Sequence, residues 1–303
     1  MEFARVGRGF SCTLSARLAG HSVSRCNADM SSPSALAGTL ATYHSRRQQR
    51  IARVPIWQSQ LIAVLEGCKI IHTRSGELIC RAGEWLLLPA GQELELVNQP
   101  DANSGNYLAL ALTQDRQWLQ RFHALYGHLL LQAAPGSPVF TPSASSRQAL
   151  QQLVTTLENA DGLMAQAWAE HGWQGLMLAL LQQGQGRSLL LLPTEDARQQ
   201  LQSLFAFDPA HDWTPAAVAQ RLAMSEATLR RRLAAASTTF SALLTEARLA
   251  HGLGLVMTGR QPLLEVALAS GYQSPSRFAA AFRRRFGLTP SALRATRELP
   301  EES

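Results

Sequence analysis

The sequence predicts an α+β protein, with an N-terminal cupin-like β-barrel, a helical connector and a C-terminal all-α domain with two helix-turn-helix units. Three observations predict it: short apolar runs from residue 56 to 112, two amphipathic stretches from 143 to 184, and a duplicated helical pattern after residue 213. A chain of 303 residues is long enough for two cores. The expected segments are a disordered basic extension over 1–50, a barrel over 51–140, a connector over 141–192 and a helical domain over 193–303.

The N-terminal segment is basic and rich in serine. Residues 1–56 hold 8 arginines and 2 acids, a difference of +6. Transit peptides share this composition, but a disordered extension, with Met30 as an alternative start, is the preferred interpretation.

Six short runs punctuated by Gly and Pro predict strands in a β-sandwich or barrel. They are Leu61–Leu65, Lys69–Thr73, Glu77–Cys80, Glu84–Leu88, Glu93–Val97 and Tyr107–Leu112. The spacing of Gly83, Pro89, Gly91 and Asn98 resembles the second conserved motif of the cupin jelly roll.

The same segment lacks the metal ligands of many cupins. Leu94 stands where metal-binding cupins have histidine, and the first HxH motif is represented only by His72, Thr73 and Arg74. One imidazole is too few ligands for a metal site. The acids Glu66, Glu77, Glu93 and Glu95 are scattered, so we expect no metal, no cofactor and no catalytic residues.

The four cysteines are Cys12, Cys26, Cys68 and Cys80, and none has metal-ligand spacing. Cys68 and Cys80 fall on neighbouring predicted strands. A redox pair is one interpretation, and small buried apolar side chains are the preferred one.

Two helices are expected near Ser146–Glu158 and Met164–Gln183, separated at Asp161 and Gly162. Each carries an apolar stripe, with Leu150, Leu153, Val154 and Leu157 in the first and Trp168, Trp173, Leu176, Leu180 and Leu181 in the second. Packing on the barrel and pairing with a second subunit both account for these stripes.

The first copy of the duplicated pattern has Ser225 as a helix N-cap, followed by Leu229 and Leu233 on a buried stripe. The opposite face then carries Ala227, Arg230 and Arg231. Arginine matches the paired acceptors of guanine and also binds phosphate, so we expect Arg230 and Arg231 to contact bases. Arg232, one step round the helix, is expected to contact phosphate.

The second copy buries Phe278, Phe282 and Phe286. Its outward face carries Ser276, Ala279, Ala280 and Arg283. Because alanine cannot hydrogen-bond to a base edge, we expect phosphate contacts from Arg283 and Arg284, with Arg277 as a further candidate.

Between the copies, Phe240 to about Thr258 is predicted to form a connecting helix. Roughly 18 residues at ~1.5 Å each give about 27 Å. Successive major grooves on one side of B-DNA are ~34 Å apart, so one chain is predicted to reach two adjacent grooves.

The segment from Trp213 to Arg294 resembles the paired helix-turn-helix domain of the AraC/XylS family of bacterial transcription regulators. The phrases SGYQSPSRFAAAFRRRF and GLTPSALR carry most of the resemblance. Departures are Leu233 for the usual Phe, Gly252 for Ala, Leu293 for Tyr, and Ala280 where the family usually has a DNA-contacting Arg. Gly252 and Gly254 are each expected to weaken the connecting helix by ~1 kcal/mol relative to Ala.

This resemblance implies a cytoplasmic regulator of transcription, with double-stranded DNA and RNA polymerase as partners and an effector at the N-terminal domain. An activator and a homodimer are expected. The effector is either a small molecule or a protein such as an antiactivator or chaperone, and a metal-free cupin enzyme fused to the helical domain is the remaining alternative. The charge of +6 suits an anionic partner, and no apolar run reaches the ~20 residues that span a bilayer.

Overall fold

The computed structural model describes residues 40–73, 76–159, 164–191 and 197–297. Contacts divide the chain into two compact units: residues 1–50, 56–192 and 297–303 form the first, and residues 51–55 and 193–296 form the second. The strands are β1 Leu40–Ser45, β2 Gln49–Ile56, β3 Gln60–Glu66, β4 Cys68–Thr73, β5 Gly76–Arg81, β6 Trp85–Leu88, β7 Gln92–Gln99, β8 Tyr107–Thr113 and β9 Val139–Phe140. All of them lie in the first unit except the central residues of β2.

These strands form two sheets. One has the order β1-β8-β3-β6-β9 and the other β2-β7-β4-β5. Neighbouring strands run antiparallel, as in the pairing of Leu61 with Leu112 between β3 and β8. The predicted β-rich N-terminal fold is confirmed as two facing sheets, although no strand in the described residues pairs one sheet to the other and closes them into a barrel.

The helices are α1 Arg116–Gln132, α2 Ala144–Asn159, α3 Ala165–Gln182, α4 Ala197–Phe207, α5 Pro215–Arg221, α6 Glu226–Ala235, α7 Phe240–Thr258, α8 Leu263–Ala269, α9 Pro275–Phe286 and α10 Pro290–Ala295. Helices α1 to α3 belong to the first unit, and α4 to α10 to the second.

The five-stranded sheet is buried on both faces. Leu61, Ala63, Leu110 and Leu112 share one apolar core with residues of α1, α2 and α3, including Trp173. The alternate residues of the same strands are buried against the other sheet. Burial of both faces explains why β3, β6 and β8 are continuous apolar runs in the sequence.

The predicted extent of the basic extension is wrong at its C-terminal end, because residues 40–45 and 49–50 lie in β1 and β2. Strand β1 pairs along its whole length with β8, from Leu40 opposite Leu112 to Ser45 opposite Tyr107. Pairing with an apolar strand that is distant in sequence outweighs the polar local composition. Residues 1–39 lie outside the described residues.

The alternative interpretation of Cys68 and Cys80 as a redox pair is wrong. Cys68 pairs with Arg81 and Cys80 with Lys69, so the two thiols point to opposite faces of the sheet. A disulfide needs Cβ atoms ~3.8 Å apart and facing each other. Cys80 is fully buried, and burial raises the pKa of its thiol to about 12. It is the small buried side chain that the sequence favoured.

The connector helices lie close to their predicted positions, and Asp161 and Gly162 fall outside the described residues. Leu150, Leu153 and Val154 of α2 are buried with Trp173 of α3 in the core of the first unit. Packing therefore accounts for most of both stripes. Trp168 is the exception, since it is 61% exposed and contacts His171 edge-on.

In the second unit, α7 covers the predicted Phe240–Thr258 and holds the surrounding helices together. Its buried side chains include Leu243, Ala247, Leu253 and Val256. Nineteen residues give a length of about 28 Å. None of the described helices has the length and apolar character needed to cross a bilayer.

Candidate nucleic-acid interface

The first helix-turn-helix unit consists of α5, a tight turn and α6. After α5, the Met224 N–H donates to the Ala219 carbonyl at 2.9 Å, and the Ala223 N–H donates to the Gln220 carbonyl at 3.1 Å. These two bonds form a Schellman motif, with Ala223 left-handed at φ 52°. Helix α6 then begins at Ser225, whose side chain accepts from the Thr228 N–H at 3.1 Å.

The second unit, α8, its turn and α9, has the same hydrogen bonds. The Tyr272 N–H donates to the Ala267 carbonyl at 2.8 Å, and the Gly271 N–H donates to the Leu268 carbonyl at 2.9 Å. Gly271 has φ 73°, a conformation that glycine adopts without strain. The Ser274 side chain caps α9 by accepting from the Arg277 N–H. The duplication seen in the sequence is therefore also a duplication of structure.

Helix α6 presents the predicted face to solvent. Leu229 and Leu233 are buried. The exposed side carries all four residues predicted for DNA contact in this helix, which are Ala227, Arg230, Arg231 and Arg232. Ala227, Arg230 and Arg231 share one helix face, since they are three or four positions apart.

Helix α9 is arranged in the same way. Phe278, Phe282 and Phe286 are buried, and each ring contacts the next edge-on, with ring centroids 5.5 and 4.7 Å apart. The predicted contact residues Ser276, Arg277, Arg283 and Arg284 are all exposed. Ala280 is exposed between them, whereas Ala279, also expected on this face, is half-buried.

The six arginines of the two exposed faces make no ion pair or side-chain hydrogen bond with any described residue: Arg230, Arg231, Arg232, Arg277, Arg283 and Arg284. Arg285 differs, because it is only half-exposed and its Nη2 lies 3.5 Å from Glu246 of α7. Glu246 also lies 3.9 Å from Arg198 of α4. The third arginine of the second triplet thus links helices, and the other two face solvent.

Two residues of α7, Arg248 and Gly252, position the helix-turn-helix units through contacts that the sequence does not predict. Arg248 donates from Nε to the Pro209 carbonyl at 3.0 Å and from Nη2 to the His211 carbonyl at 3.1 Å. A Cβ at Gly271 would lie 2.6 Å from Arg248 Nε. Arg248 therefore connects the segment before the first unit to the turn of the second. The sequence signal for Arg248 is its place in the segment Trp213–Arg294, which resembles the AraC/XylS family.

Gly252 is the second of these residues. A Cβ on Gly252 would lie 2.6 Å from Phe278 Cε2 and 2.9 Å from the Ser270 hydroxyl. The absence of a side chain at Gly252 therefore lets the second helix-turn-helix unit pack closely against α7. Gly254 has open space around its Cα. Gly252 therefore has a packing role in addition to the loss of helix propensity that the sequence predicts for both glycines.

In the sheet-containing part of the chain, the residues of the predicted cupin motif lie in turns and at one buried polar position. Gly83 and Gly91 have positive φ, at 87° and 85°. Leu94 is buried, and His72 faces Glu77 across two strands at 3.5 Å. No three His, Cys, Asp or Glu residues come together as metal ligands would in the described ranges, and Arg74 lies outside them.

Comparisons with known proteins agree with this geometry. A family model described as a helix-turn-helix domain matches residues 218–296. The HTH-type transcriptional regulator GadX of Escherichia coli O6:H1 is 39% identical over 93 residues, which are 30% of this chain and 34% of GadX. The transcriptional regulator SirC of Salmonella typhimurium is 33% identical over 99 residues, which are 33% of this chain and 34% of SirC. The match thus spans about a third of the length of these relatives.

Solved structures extend the similarity of fold to the first unit. A crystal structure of ToxT from Vibrio cholerae, determined with an unsaturated fatty acid bound, has a TM-score of 0.60 at 16% identity and covers 87% of this chain and 97% of ToxT. An apo structure of a ToxT point variant gives a TM-score of 0.59 at 14% identity and covers 86% of this chain and 97% of that variant. By its fold and by its sequence similarity to these regulators, the C-terminal part of this chain is a helix-turn-helix domain of the AraC/XylS family.

Proposed function

We propose that this chain is a sequence-specific DNA-binding regulator of transcription. The observation that carries the proposal is the pair of equivalent helix-turn-helix units, each with a solvent-facing arginine set on its second helix. Guanidinium groups without a protein partner are suited to phosphate oxygens and to guanine edges. The similarity to GadX and SirC, both described as transcriptional regulators, supports the same function.

The two recognition helices have different proposed roles. In α6, Arg230 and Arg231 contact base edges in the major groove, beside the small Ala227, and Arg232 binds phosphate. A slim residue such as Ala227 lets the helix backbone approach the groove floor. Most sequence discrimination therefore belongs to the first helix-turn-helix unit.

In α9, Arg277, Arg283 and Arg284 bind phosphates and Ser276 adds a hydrogen bond near the helix N-terminus. Ala280 replaces a side chain that could read a base. The second helix-turn-helix unit therefore adds binding affinity in the neighbouring groove but little sequence specificity.

We also propose that a small-molecule effector binds the N-terminal, sheet-containing unit and controls the regulator. The similarity of fold to ToxT, which was crystallised with an unsaturated fatty acid, supports a small molecule over a protein effector. We further propose a cytoplasmic activator that contacts RNA polymerase, acts as a homodimer and needs no metal or cofactor. The enzyme alternative receives no support from the scattered acids of the first unit.

The test is selection of bound sites from a random duplex library by the full-length protein. The proposal predicts enrichment of one common sequence, read mainly by α6. Arg81→Ala, which removes an exposed arginine from the first unit, is the matched control for charge and should select the same sequence. Equal recovery of all library sequences would refute sequence-specific binding.

A further inference from the structure

The two recognition helices can be compared position by position, because each begins at a capping serine. In α6 the Leu229 N–H donates to the Ser225 carbonyl at 2.9 Å, and in α9 the Phe278 N–H donates to the Ser274 carbonyl at 3.1 Å. The same count from the cap therefore identifies equivalent positions. Buried residues lie four and eight positions after the cap in both helices: Leu229 and Leu233 in α6, Phe278 and Phe282 in α9.

Arginine and alanine triplets are exchanged between the equivalent positions. Five to seven positions after the cap, the first helix-turn-helix unit has Arg230–Arg232 and the second has Ala279–Ala281. Nine to eleven positions after the cap, the first has Ala234–Ala236 and the second has Arg283–Arg285. The arginine triplet of α9 thus begins four positions later than that of α6, which is about one helical turn, or ~6 Å, further along the helix.

The exchange changes what each helix presents at its middle. The position six after the cap is exposed in both helices, and it is Arg231 in α6 and Ala280 in α9. The exposed Ser276 lies one turn before Ala280, and the exposed Arg283 lies almost one turn after it. Because Ala280 extends no further than its Cβ, the α9 backbone can approach an opposing surface more closely than α6 can with arginine at the same position.

The floor of the major groove offers one apolar group to such a helix, the C5-methyl of thymine. The edges of guanine, adenine and cytosine present hydrogen-bonding groups instead. Covering those groups with the Cβ of an alanine removes their water and supplies no partner, which costs free energy. A helix with an exposed alanine at its centre therefore favours thymine over the other three bases at the position that the alanine covers.

We infer that Ala280 packs on the C5-methyl of a thymine in the major groove that α9 occupies, and that α9 thereby selects a T·A pair at one position. Arg283 and Arg284, one turn further along, bind phosphates and hold the helix at the depth that this contact requires. The inference rests on the proposed DNA binding and names the base that the second recognition helix prefers. The preference is small, since only one methyl group is buried.

The experiment removes this methyl group and nothing else from the duplex. Binding of the full-length protein is measured by fluorescence anisotropy on the selected duplex and on a set of duplexes in which each thymine in turn is replaced by deoxyuridine. Deoxyuridine pairs with adenine as thymine does but lacks the methyl group. One of these replacements should weaken binding about threefold to fivefold through loss of the contact with Ala280.

Ala280→Gly assigns that thymine to its reader. The variant lacks the Cβ, so deoxyuridine at the same position should weaken its binding by less than about 1.5-fold. Glycine also costs helix stability, but this cost is the same on both duplexes and cancels in their ratio. Ala206→Gly, at an exposed alanine of α4, is the matched control and should keep the threefold to fivefold loss.

Ala280→Arg provides a second readout that does not depend on the glycine variant. Arginine can donate to both O6 and N7 of guanine. This variant should bind the duplex with G·C in place of the assigned T·A pair at least about threefold more tightly than the original duplex, whereas wild type should prefer the original.

Three results would overturn the inference. Wild type tolerates every deoxyuridine, or Ala280→Gly shows the same loss as wild type at the assigned thymine, or Ala280→Arg keeps the wild-type base preference. Failure of the proposed function would be seen earlier, because the protein would then bind the selected and random duplexes equally before any base is replaced, and both proposals would fall.

Discussion

At the residue scale, the arginines of the C-terminal helical unit are of two kinds: some connect helices, and others are available to a ligand. Arg285 and Arg248 are tied to Glu246 and to backbone carbonyls, whereas Arg283 and Arg284 face solvent without a partner for their side chains among the described residues. An arginine that already has an acceptor would have to break that contact to bind phosphate. Burial and pairing therefore identify candidate DNA contacts better than arginine content does.

Arg231→Ala and Arg284→Ala should differ in kind. The first removes a proposed base contact and should weaken binding to the selected sequence by ~1 to 3 kcal/mol while relaxing sequence choice. The second should weaken binding to all sequences and flatten the salt dependence of the binding constant. Electrophoretic mobility shifts on selected and random duplexes over a range of salt measure both. Equal losses on the two duplexes for Arg231→Ala would contradict its role in reading bases.

Lys69 should make stability depend on pH in a defined window. The unfolded chain keeps this proton up to about pH 10.5, whereas the folded protein releases it near pH 8 because of burial. Between these values the unfolded state binds more protons, so the free energy of unfolding of wild type should rise with pH relative to Lys69→Met, by roughly 3 kcal/mol in total. Below pH 8 the difference should be constant. Urea denaturation of both proteins at several pH values measures it, and parallel curves from pH 7 to 11 would argue against a buried, desolvated ammonium.

At the scale of elements, the sequence predicts what is set locally. Six strands, both connector helices and the long helix α7 follow from apolar periodicity and from Gly, Pro and Ser signals at their ends. The exposed faces of α6 and α9 follow from the same periodicity, because a buried Leu or Phe every three or four residues determines which side remains outside.

Two of the missed elements depend on distant residues: β1 forms by pairing with the apolar β8, and the two-residue β9 exists only because it pairs with β6. Helix α1 was also missed, although its signals are local: Asp115 caps it by accepting from the Trp118 N–H, and Trp118, Leu119 and Phe122 form its buried face. The close approach of Phe278 to Gly252 joins residues 26 positions apart, and the buried hydrogen bonds from Lys69 to Asn98 and from Asn98 to Gln49 join residues 29 and 49 positions apart. No local pattern encodes which residues meet across such separations.

The two glycines of α7 give a matched pair of substitutions within one helix. Gly254→Ala should stabilise the second unit by up to ~1 kcal/mol, because alanine favours the helix and the space around it is open. Gly252→Ala places a methyl group against the Phe278 ring and should destabilise by about 1 to 2 kcal/mol, because the steric cost exceeds the gain in helix propensity. Urea midpoints of the two variants measure this. The same stabilisation in both would mean that Phe278 does not pack tightly on α7.

At the scale of the whole molecule, charge is distributed unevenly along the chain. Residues 57–192 hold 7 basic and 10 acidic groups, a difference of −3, whereas residues 193–303 hold 13 basic and 10 acidic groups, a difference of +3. The N-terminal, sheet-containing unit is therefore poorly suited to binding DNA. The C-terminal helical unit is suited to binding DNA where its unpaired arginines cluster. This division agrees with separate roles for the units in effector binding and in DNA binding.

Removing residues 1–29 tests whether the basic N-terminal segment adds to DNA binding. The account assigns DNA contact to α6 and α9, so the shortened chain should bind the selected duplex within about twofold of the full chain, a difference of ~0.4 kcal/mol. Fluorescence anisotropy at moderate salt measures it. A drop of tenfold or more would instead make the N-terminal segment a third DNA contact.

We infer above all that one chain places α6 and α9 in consecutive major grooves. The most direct measurement is the affinity of the full-length protein for the selected duplex and for a duplex shortened so that it ends before the neighbouring major groove. The shortened duplex keeps the bases that α6 contacts and removes the phosphates that α9 contacts. We expect a loss of at least about tenfold, or ~1.4 kcal/mol. Equal affinity for the two duplexes would contradict the placement of α9 in the second groove.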